Sequence, residues 1–217
     1  MFIHPWDSSQ SETEWRTWLA GVEKFGVLAV NNKDADQAPI VLPTHFTLDG
    51  DEILLHFAKP NPAWPSIEAA KQVRLAVTGD YAFIPGHWRV LPPGVIENGV
   101  PTSYYVSVQF VCEPLVVDDP EEKAAIIAKQ TADFQPEGLH APVTADSEAY
   151  GRMLNGTRAL RLRILNVDAK FKFDDHKPEA FRQQIAEKLE SRATNQDADV
   201  AHQQRRRMHE IGDWKPS

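Results

Sequence analysis

The sequence predicts a mainly β protein with peripheral helices, built as a single β-barrel or strongly curved sheet. Three observations carry this expectation. Apolar runs with strand periodicity recur from Gly26 to Ile84 and again over 102–117 and 160–164. Two of them meet at Asp49-Gly50, a hairpin signal that makes them antiparallel neighbours. Helical periodicity is confined to the first 22 residues, one short stretch near 66–72 and the region after 119. At roughly 150 residues per domain, a chain of 217 residues is one generous domain with ample material for a core.

Element by element, Ser11 and Glu14 form a capping-box pattern. Trp15, Trp18, Leu19 and Val22 then fall on one helical face, and Gly26 is expected to end that helix. Gly26–Asn31 reads as a strand, followed by a polar turn. Pro39–Leu48 is a second strand and Glu52–Ala58 a third, with the Asp49-Gly50 turn between them. Pro60, Pro62 and Pro65 interrupt the pattern, and Pro65 suits the first turn of a short helix over Ser66–Gln72. Val73–Ile84 returns to strand. Residues 85–100 hold three prolines and three glycines, so they read as a long loop. Thr102–Val117 is a long strand with Tyr104, Val106, Val108, Phe110 and Cys112 on one face. Asp119 and Pro120 open a helix, and Asp146 is expected to cap a second, short one that Gly156 stops. Leu160, Leu162 and Ile164 alternate with Arg161 and Arg163 in a strand that runs toward Phe173. Pro178 opens a helix with Phe181, Ile185 and Leu189 turned inward. The organisation expected is one barrel domain over 1–190 and a polar helical tail over 191–217, in which Arg205-Arg206-Arg207 reads as solvated helix.

The formal net charge of −8 argues against a free-standing DNA-binding protein, because basic surface drives phosphate binding. A single cysteine, Cys112, excludes an intrachain disulfide and fits a reducing cytoplasm. Its place on the apolar strand face makes it a buried small hydrophobe rather than a reactive thiol. No apolar run approaches the ~20 residues that span a bilayer, and the first residues lack the pattern of a secretory signal. Nucleophile-elbow, Walker, dinucleotide-binding, zincin and Cys-x-x-Cys motifs are all missing. The eight histidines are scattered, so no metal site is expected, and no catalytic acid or base stands out.

Three stretches remain as binding candidates. In His56-Phe57-Ala58-Lys59-Pro60-Asn61-Pro62-Ala63-Trp64 a strand ends, and a cation, an amide and an indole follow just before a helix. Free N–H groups of the helix start, Lys59 and Asn61 suit an anion, and Trp64 offers an apolar wall. That combination suits a phosphate bearing an aromatic group, such as a nucleotide or flavin. Lys170 and Lys172 point to one side of a strand and repel unless an anion or acids lie between them. Thr102 and Ser103 form a hydroxyl cluster at the entry to the long strand.

Together these stretches resemble the PaiB-type FMN-binding family, whose members are described as negative transcriptional regulators. That family's His-Leu-Ala-Arg-Ala-Asn-Pro-x-Trp stretch is similar to His56–Trp64, with Phe57, Lys59 and Pro60 substituted. Its Gly-Pro-His-Ala-Tyr-Ile-Ser-Pro-x-Trp resembles Gly79–Trp88, keeping Gly79, Ala82, Ile84 and Trp88. Its Val-Pro-Thr-Trp-Asn-Tyr resembles Val100–Tyr105, and Lys-Phe-Lys-Leu-Ser-Gln-Asn resembles Lys170–His176. The four matches keep the family's order and span roughly residues 39–190. Ser103-Tyr104 and Phe173-Asp174-Asp175-His176 depart from it, the latter with two acids in place of neutral groups.

The resemblance implies an FMN-binding split β-barrel like that of the pyridoxamine-phosphate oxidases, assembled as a homodimer with FMN at the subunit interface. By the same analogy Leu42, Pro43, Thr44 and His45 run along the isoalloxazine ring, and Lys59, Asn61 and Trp64 sit at the phosphate end. Thr102 is a further contact from a neighbouring strand or the other subunit, and Lys170 and Lys172 lie in a matching motif. The function expected is that of a flavin-dependent redox protein. The alternatives are a flavin-sensing regulator without turnover and a cofactor-less interaction module.

Overall fold

The computed structural model describes residues 1–212 and residue 214. In chain order the elements are α1 (Glu12–Gly21), β1 (Phe25–Val30), β2 (Ile40–His45), β3 (Thr47–Asp49) and β4 (Glu52–Ala58). Then come α2 (Trp64–Ala69), β5 (Val73–Ile84), β6 (Thr102–Val117), α3 (Pro120–Phe134) and α4 (Gly151–Gly156). The chain continues with β7 (Thr157–Lys172), α5 (Glu179–Arg192) and α6 (Asp197–Ile211). The strands form one seven-stranded sheet in the order β2-β1-β5-β6-β7-β4-β3. The mainly β architecture with peripheral helices is therefore as expected. Among the described residues no helix is long and apolar enough to cross a membrane.

The chain divides into two compact units, one of Glu23–Val77 and Gln109–Val167, the other of Met1–Val22, Thr78–Val108 and Asp168–Ser217. In the first, β1 pairs antiparallel with β2 from Phe25↔His45 to Val30↔Ile40, and β4 pairs with β7 from Glu52↔Arg163 to Ala58↔Thr157. The ladder is not closed by hydrogen bonds, since β2 and β3 are its two ends. Both ends come from one run of chain, however. The single strand expected over 39–48 bends at Phe46, so that β2 pairs with β1 while β3 pairs with β4. Phe46 is fully buried and its N–H donates to the Lys24 carbonyl at 3.0 Å. Burying this large ring turns the chain from one sheet end to the other. Leu28, Ile53, Leu55, Leu75, Leu160 and Leu162 complete the core of the unit, each fully buried.

Some elements differ in detail from the sequence reading. The first helix ends at Gly21, and Gly26 instead lies inside β1. A Cβ at residue 26 would stand 2.9 Å from the Ala76 carbonyl of β5, so glycine here serves close strand approach. The Asp49-Gly50 turn is present, with Gly50 at φ +59. Asp146 caps no helix. It lies in a turn closed by the Ser147 N–H on the Thr144 carbonyl, and α4 starts only after Tyr150. Tyr104, Val106, Val108, Phe110 and Cys112 are all fully buried, as their shared face predicts. Burial pushes the Cys112 thiol up to about 12.

The second unit is organised around charge. Ser11 accepts the Glu14 N–H at 3.2 Å, and the Glu14 carboxylate accepts the Gln10 N–H at 2.7 Å, which is the capping box displaced by one residue. Glu14 also receives Arg206 at 2.7 Å and Arg207, both from α6. Arg207 is fully buried and donates through Nε to Asp175 at 2.6 Å and through Nη2 to the Ser8 and Trp6 carbonyls. Its guanidinium lies 5.1 Å from the Phe171 ring centroid. The expectation of a solvated basic triplet thus fails for Arg207. Its partner Glu14 lies 193 positions away, beyond what local patterning reveals. Burial pushes the Glu14 carboxyl up, but Arg207, the Gln10 N–H and Arg206 outweigh it and hold the group below the usual carboxylate range.

Removing one member of such a buried cluster leaves the others uncompensated. Arg207→Met is expected to lower unfolding free energy by about 3–5 kcal/mol. Arg205→Ala, which breaks an exposed pair with Glu190, should cost under about 1 kcal/mol. Urea denaturation of the two variants measures the contrast.

Candidate functional site

The end of β4, α2, the start of α3 and the start of β7 converge on a cleft of about 680 Å³ in the first unit. That is within the ordinary range for small-molecule sites, about 300–1,000 Å³. Lys59, Asn61 and Trp64 all line it, joined by Glu68, Asp118, Lys123 and Arg158 among others. Lys59 is exposed, and Lys123 is buried with its ammonium donating to the Thr157 carbonyl at 3.2 Å. Arg158 is placed by the β4–β7 register, where it stands opposite Phe57. It bonds Asp118 twice, Nε to Oδ1 at 2.8 Å and Nη2 to Oδ2 at 2.6 Å, and pairs with Glu68 through Nη1 at 2.7 Å. The hydrogen bonds from Arg158 hold the Asp118 carboxyl below its usual range.

Two physical roles assigned from sequence differ in the structure. The helix start does not offer free N–H groups. Asn61 Oδ1 takes the Ala63 N–H at 2.9 Å, the Asn61 carbonyl takes that of Trp64, Pro65 has none, and the Ala63 carbonyl takes that of Ser66. Trp64 is not an open wall either. It is 4% exposed, its Nε1–H donates to the Ala58 carbonyl at 3.0 Å, and the Arg158 guanidinium covers the ring at 4.8 Å. The positive charge of the cleft therefore resides in side chains. Arg158 and Lys123 escaped the sequence reading because they reach the cleft through pairings that no local motif encodes.

Leu42, Pro43, Thr44 and His45 form most of β2, at one end of the sheet order. Thr44 is buried, whereas Pro43 and His45 are exposed on the face shared with Phe25 and Val27 of β1 and with Val41. Phe25 is 58% exposed and Val41 59%, which makes an apolar strip. His45 lies 5.5 Å from the His56 ring and 5.2 Å from Phe134. Partial burial and the neighbouring His56 push its pKa down. His56 Nδ1 is 2.7 Å from Gln130 Oε1, and Gln130 Nε2 donates to the Leu54 carbonyl at 3.1 Å. With its amide so oriented, Gln130 Oε1 accepts and His56 Nδ1–H donates. Among the described residues no group of three or more His, Cys, Asp or Glu side chains could hold a metal ion.

Thr102, Lys170 and Lys172 belong to the second unit. Lys172 Nζ donates to Thr102 Oγ1 at 2.9 Å, and both ammonium groups lie over the Tyr105 ring, at 5.6 and 5.8 Å from its centroid. Lys170 also donates to the Phe2 carbonyl at 3.0 Å and faces Asp7 at 3.9 Å. The acid that offsets the two lysines is thus Asp7. Asp174 instead bonds Arg89 at 2.6 Å and Tyr104 at 2.9 Å, and Asp175 bonds Arg207. Asp7 is 2% exposed, and this burial, only partly opposed by Lys170 and His4, raises its pKa to about 6. A raised acid pKa means that the folded protein holds the proton more tightly than the unfolded chain. Stability from this group is full below about pH 4 and is lost as pH rises through about 6. Asp7→Asn should therefore match the parent near pH 4 and exceed it by roughly 2–3 kcal/mol above pH 6. Denaturation at several pH values measures the difference.

Comparisons with known proteins bear on this geometry. Residues 1–166 match the profile of the family described as "Putative FMN-binding domain". A search of curated protein sequences gives no match. The fold is similar to that of the flavocytochrome Anf3 from Azotobacter vinelandii (TM-score 0.58, 15% identity, covering 77% of this chain and 70% of that one). It is also similar to an FAD and heme binding protein from Mycobacterium smegmatis (TM-score 0.58, 21% identity, 76% and 73% covered). A Bacteroides thetaiotaomicron protein described as a 5-nitroimidazole antibiotic resistance protein aligns at TM-score 0.57 and 9% identity, over 75% and 85%. At these identities the structural likenesses speak for the fold alone, and the profile match supplies the family. The chain belongs to the FMN-binding-domain family, whose cofactor is a flavin.

Proposed function

We propose that this protein is a dimeric FMN-binding flavoprotein of the PaiB type, with the FMN phosphate in the Lys59 cleft and the ring along β2. The observation that carries the reading is the convergence of Lys59, Lys123 and Arg158 on a ligand-sized cleft inside a chain of the FMN-binding family. The residues present fit the group. Three cations suit a phosphate, and the exposed face and free edge of β2 suit a flat ring with polar margins. A bound flavin supplies hydride or single-electron transfer, while the protein supplies binding, orientation and electrostatics. Lys59 and Lys123 neutralise the phosphate, and the β2 backbone offers hydrogen-bonding groups to the ring edge. His45 adds an imidazole whose lowered pKa favours its neutral form, beside the His56 ring, whose Nδ1 is bonded to Gln130.

The apolar strip of Phe25, Val27, Val41 and Pro43 supports a second copy of the chain as the partner. Direct, specific DNA binding is no part of the proposal. The net charge is −8, and the basic triplet is engaged within the fold, Arg207 in its buried cluster and Arg205 and Arg206 in ion pairs with Glu190, Glu14 and Glu210. We assign the protein to the cytoplasm on its single, buried cysteine.

After addition of FMN and removal of unbound flavin by gel filtration, the purified protein should retain a flavin absorption spectrum. Lys59→Ala should weaken FMN binding about tenfold, the worth of one charge-assisted contact, while Lys33→Ala, in a surface turn, should leave it unchanged. Equal affinities for the two variants refute the phosphate assignment. In sedimentation at micromolar concentration with FMN present the protein should run as a dimer, and Val41→Asp should shift it to monomer. A monomeric parent protein refutes the assembly.

A further inference from the structure

We infer that Arg158 is a guarded phosphate ligand, and that Asp118 is the guard an anion must displace to reach it. The inference rests on the proposal that the FMN phosphate enters the Lys59 cleft. Arg158 comes from the start of β7, Lys59 from the end of β4 and Lys123 from α3, so three elements bring cations to one cleft. Two carboxylates line it as well, and both bond the same cation. The contact with Asp118 is bidentate, at 2.8 and 2.6 Å. Two parallel N–H···O bonds are the arrangement by which a guanidinium also grips two phosphate oxygens. Asp118 thus presents to Arg158 the pair of oxygens that a phosphate would present.

The rest of the geometry makes the exchange feasible. The Trp64 ring holds the guanidinium from one side at 4.8 Å, and Trp64 is fixed by its bond to the Ala58 carbonyl. Glu68 keeps a third donor, Nη1. Arg158 therefore need not move when Asp118 leaves. The Asp118 side chain is 59% exposed, so it can turn into water without stranding a buried charge. Its exchange for a phosphate replaces the two bonds that Nε and Nη2 now make to Asp118. The guard also acts on charged ligands alone. A dianionic phosphate monoester competes with a carboxylate for the guanidinium, whereas a neutral ligand of the same shape does not. Asp118 therefore weakens FMN binding without touching riboflavin, and its removal sharpens the discrimination between the two.

The test compares FMN and riboflavin affinities, by fluorescence quenching at fixed ionic strength, for the parent protein, Asp118→Asn, Arg158→Ala and the double variant. Lys59→Ala and Glu113→Gln are run beside them, the latter altering a similar exposed pair with Arg163 on β7. Asp118→Asn keeps the shape and removes the competing charge, so FMN affinity should rise about tenfold while riboflavin affinity stays within about twofold. The gain should vanish when Arg158 is already alanine, and Glu113→Gln should change neither ligand. An unchanged or weakened FMN affinity in Asp118→Asn, with Lys59→Ala still impaired, overturns the guard and leaves the phosphate site standing. An equal gain for riboflavin also overturns it, because the effect then does not act through phosphate. If Lys59→Ala binds FMN like the parent, or if no variant binds FMN, the site reading falls and the guard falls with it. Thermal melts of each variant separate a lost contact from a lost fold.

Discussion

The bend at Phe46 is the constraint on which the site-bearing unit depends. One stretch of chain serves as both ends of the sheet, pairing with β1 before the bend and with β4 after it. A fully buried aromatic ring and one hydrogen bond to the Lys24 carbonyl fix the turning point. The consequence reaches the surface. Because β2 and β4 are joined through this corner, His45 and His56 come within 5.5 Å although they lie on opposite ends of the ladder. β4 then delivers Lys59 to the cleft, and its pairing with β7 delivers Arg158. A residue smaller than Phe46 would leave the corner underpacked, and the registers on either side would lose their common reference.

Charge is handled in the same manner throughout. Cations that look idle in the sequence each have a partner chosen by the fold. Arg207 takes Glu14 and Asp175, Arg158 takes Asp118 and Glu68, Arg161 takes Glu52 and Glu122, and Lys170 faces Asp7. The buried Arg207 cluster is a strong positional constraint, because an unpaired charge in such a place costs several kcal/mol. The exposed members contribute little to stability, which leaves them available for exchange. This difference in burial separates Arg207, fixed in a structural cluster, from Arg158, whose principal partner is open to water.

How much of this was legible in the sequence follows from the range of each interaction. The capping box at Ser11, the Asp49-Gly50 turn, the buried face of 104–112 and the inward face of α5 are local patterns, and the fold keeps them. Lys59, Asn61 and Trp64 share a cleft because six residues of chain cannot disperse them. The strand break at Phe46 and the glycine at 26 depended on packing partners elsewhere in the chain. The charged partnerships were out of reach, since Arg158 finds Asp118 at a separation of 40 positions and Arg207 finds Glu14 at 193. Sequence counted these charges correctly but could not assign their partners. It therefore read Arg207 as solvated and left Asp7 and Arg158 out.

The placement of Trp64 bears on where an aromatic cofactor can rest. An indole at the mouth of a phosphate-sized cleft invites the idea of a stacking wall, yet this ring is buried, bonded to the Ala58 carbonyl and covered by a guanidinium. Its role is to hold Arg158. A flavin ring needs flat apolar area combined with hydrogen-bonding groups at its margin. Within this unit the exposed strip of Phe25, Val27, Val41 and Pro43, beside the unpaired edge of β2, offers both. On the proposed reading the phosphate and the ring are therefore recognised by different physics, cations in a cleft at one end and an apolar strand face at the other. Affinity for the phosphate should fall with salt, and affinity for the ring should not. The salt dependence of FMN binding, set against that of riboflavin, reads the two contributions separately.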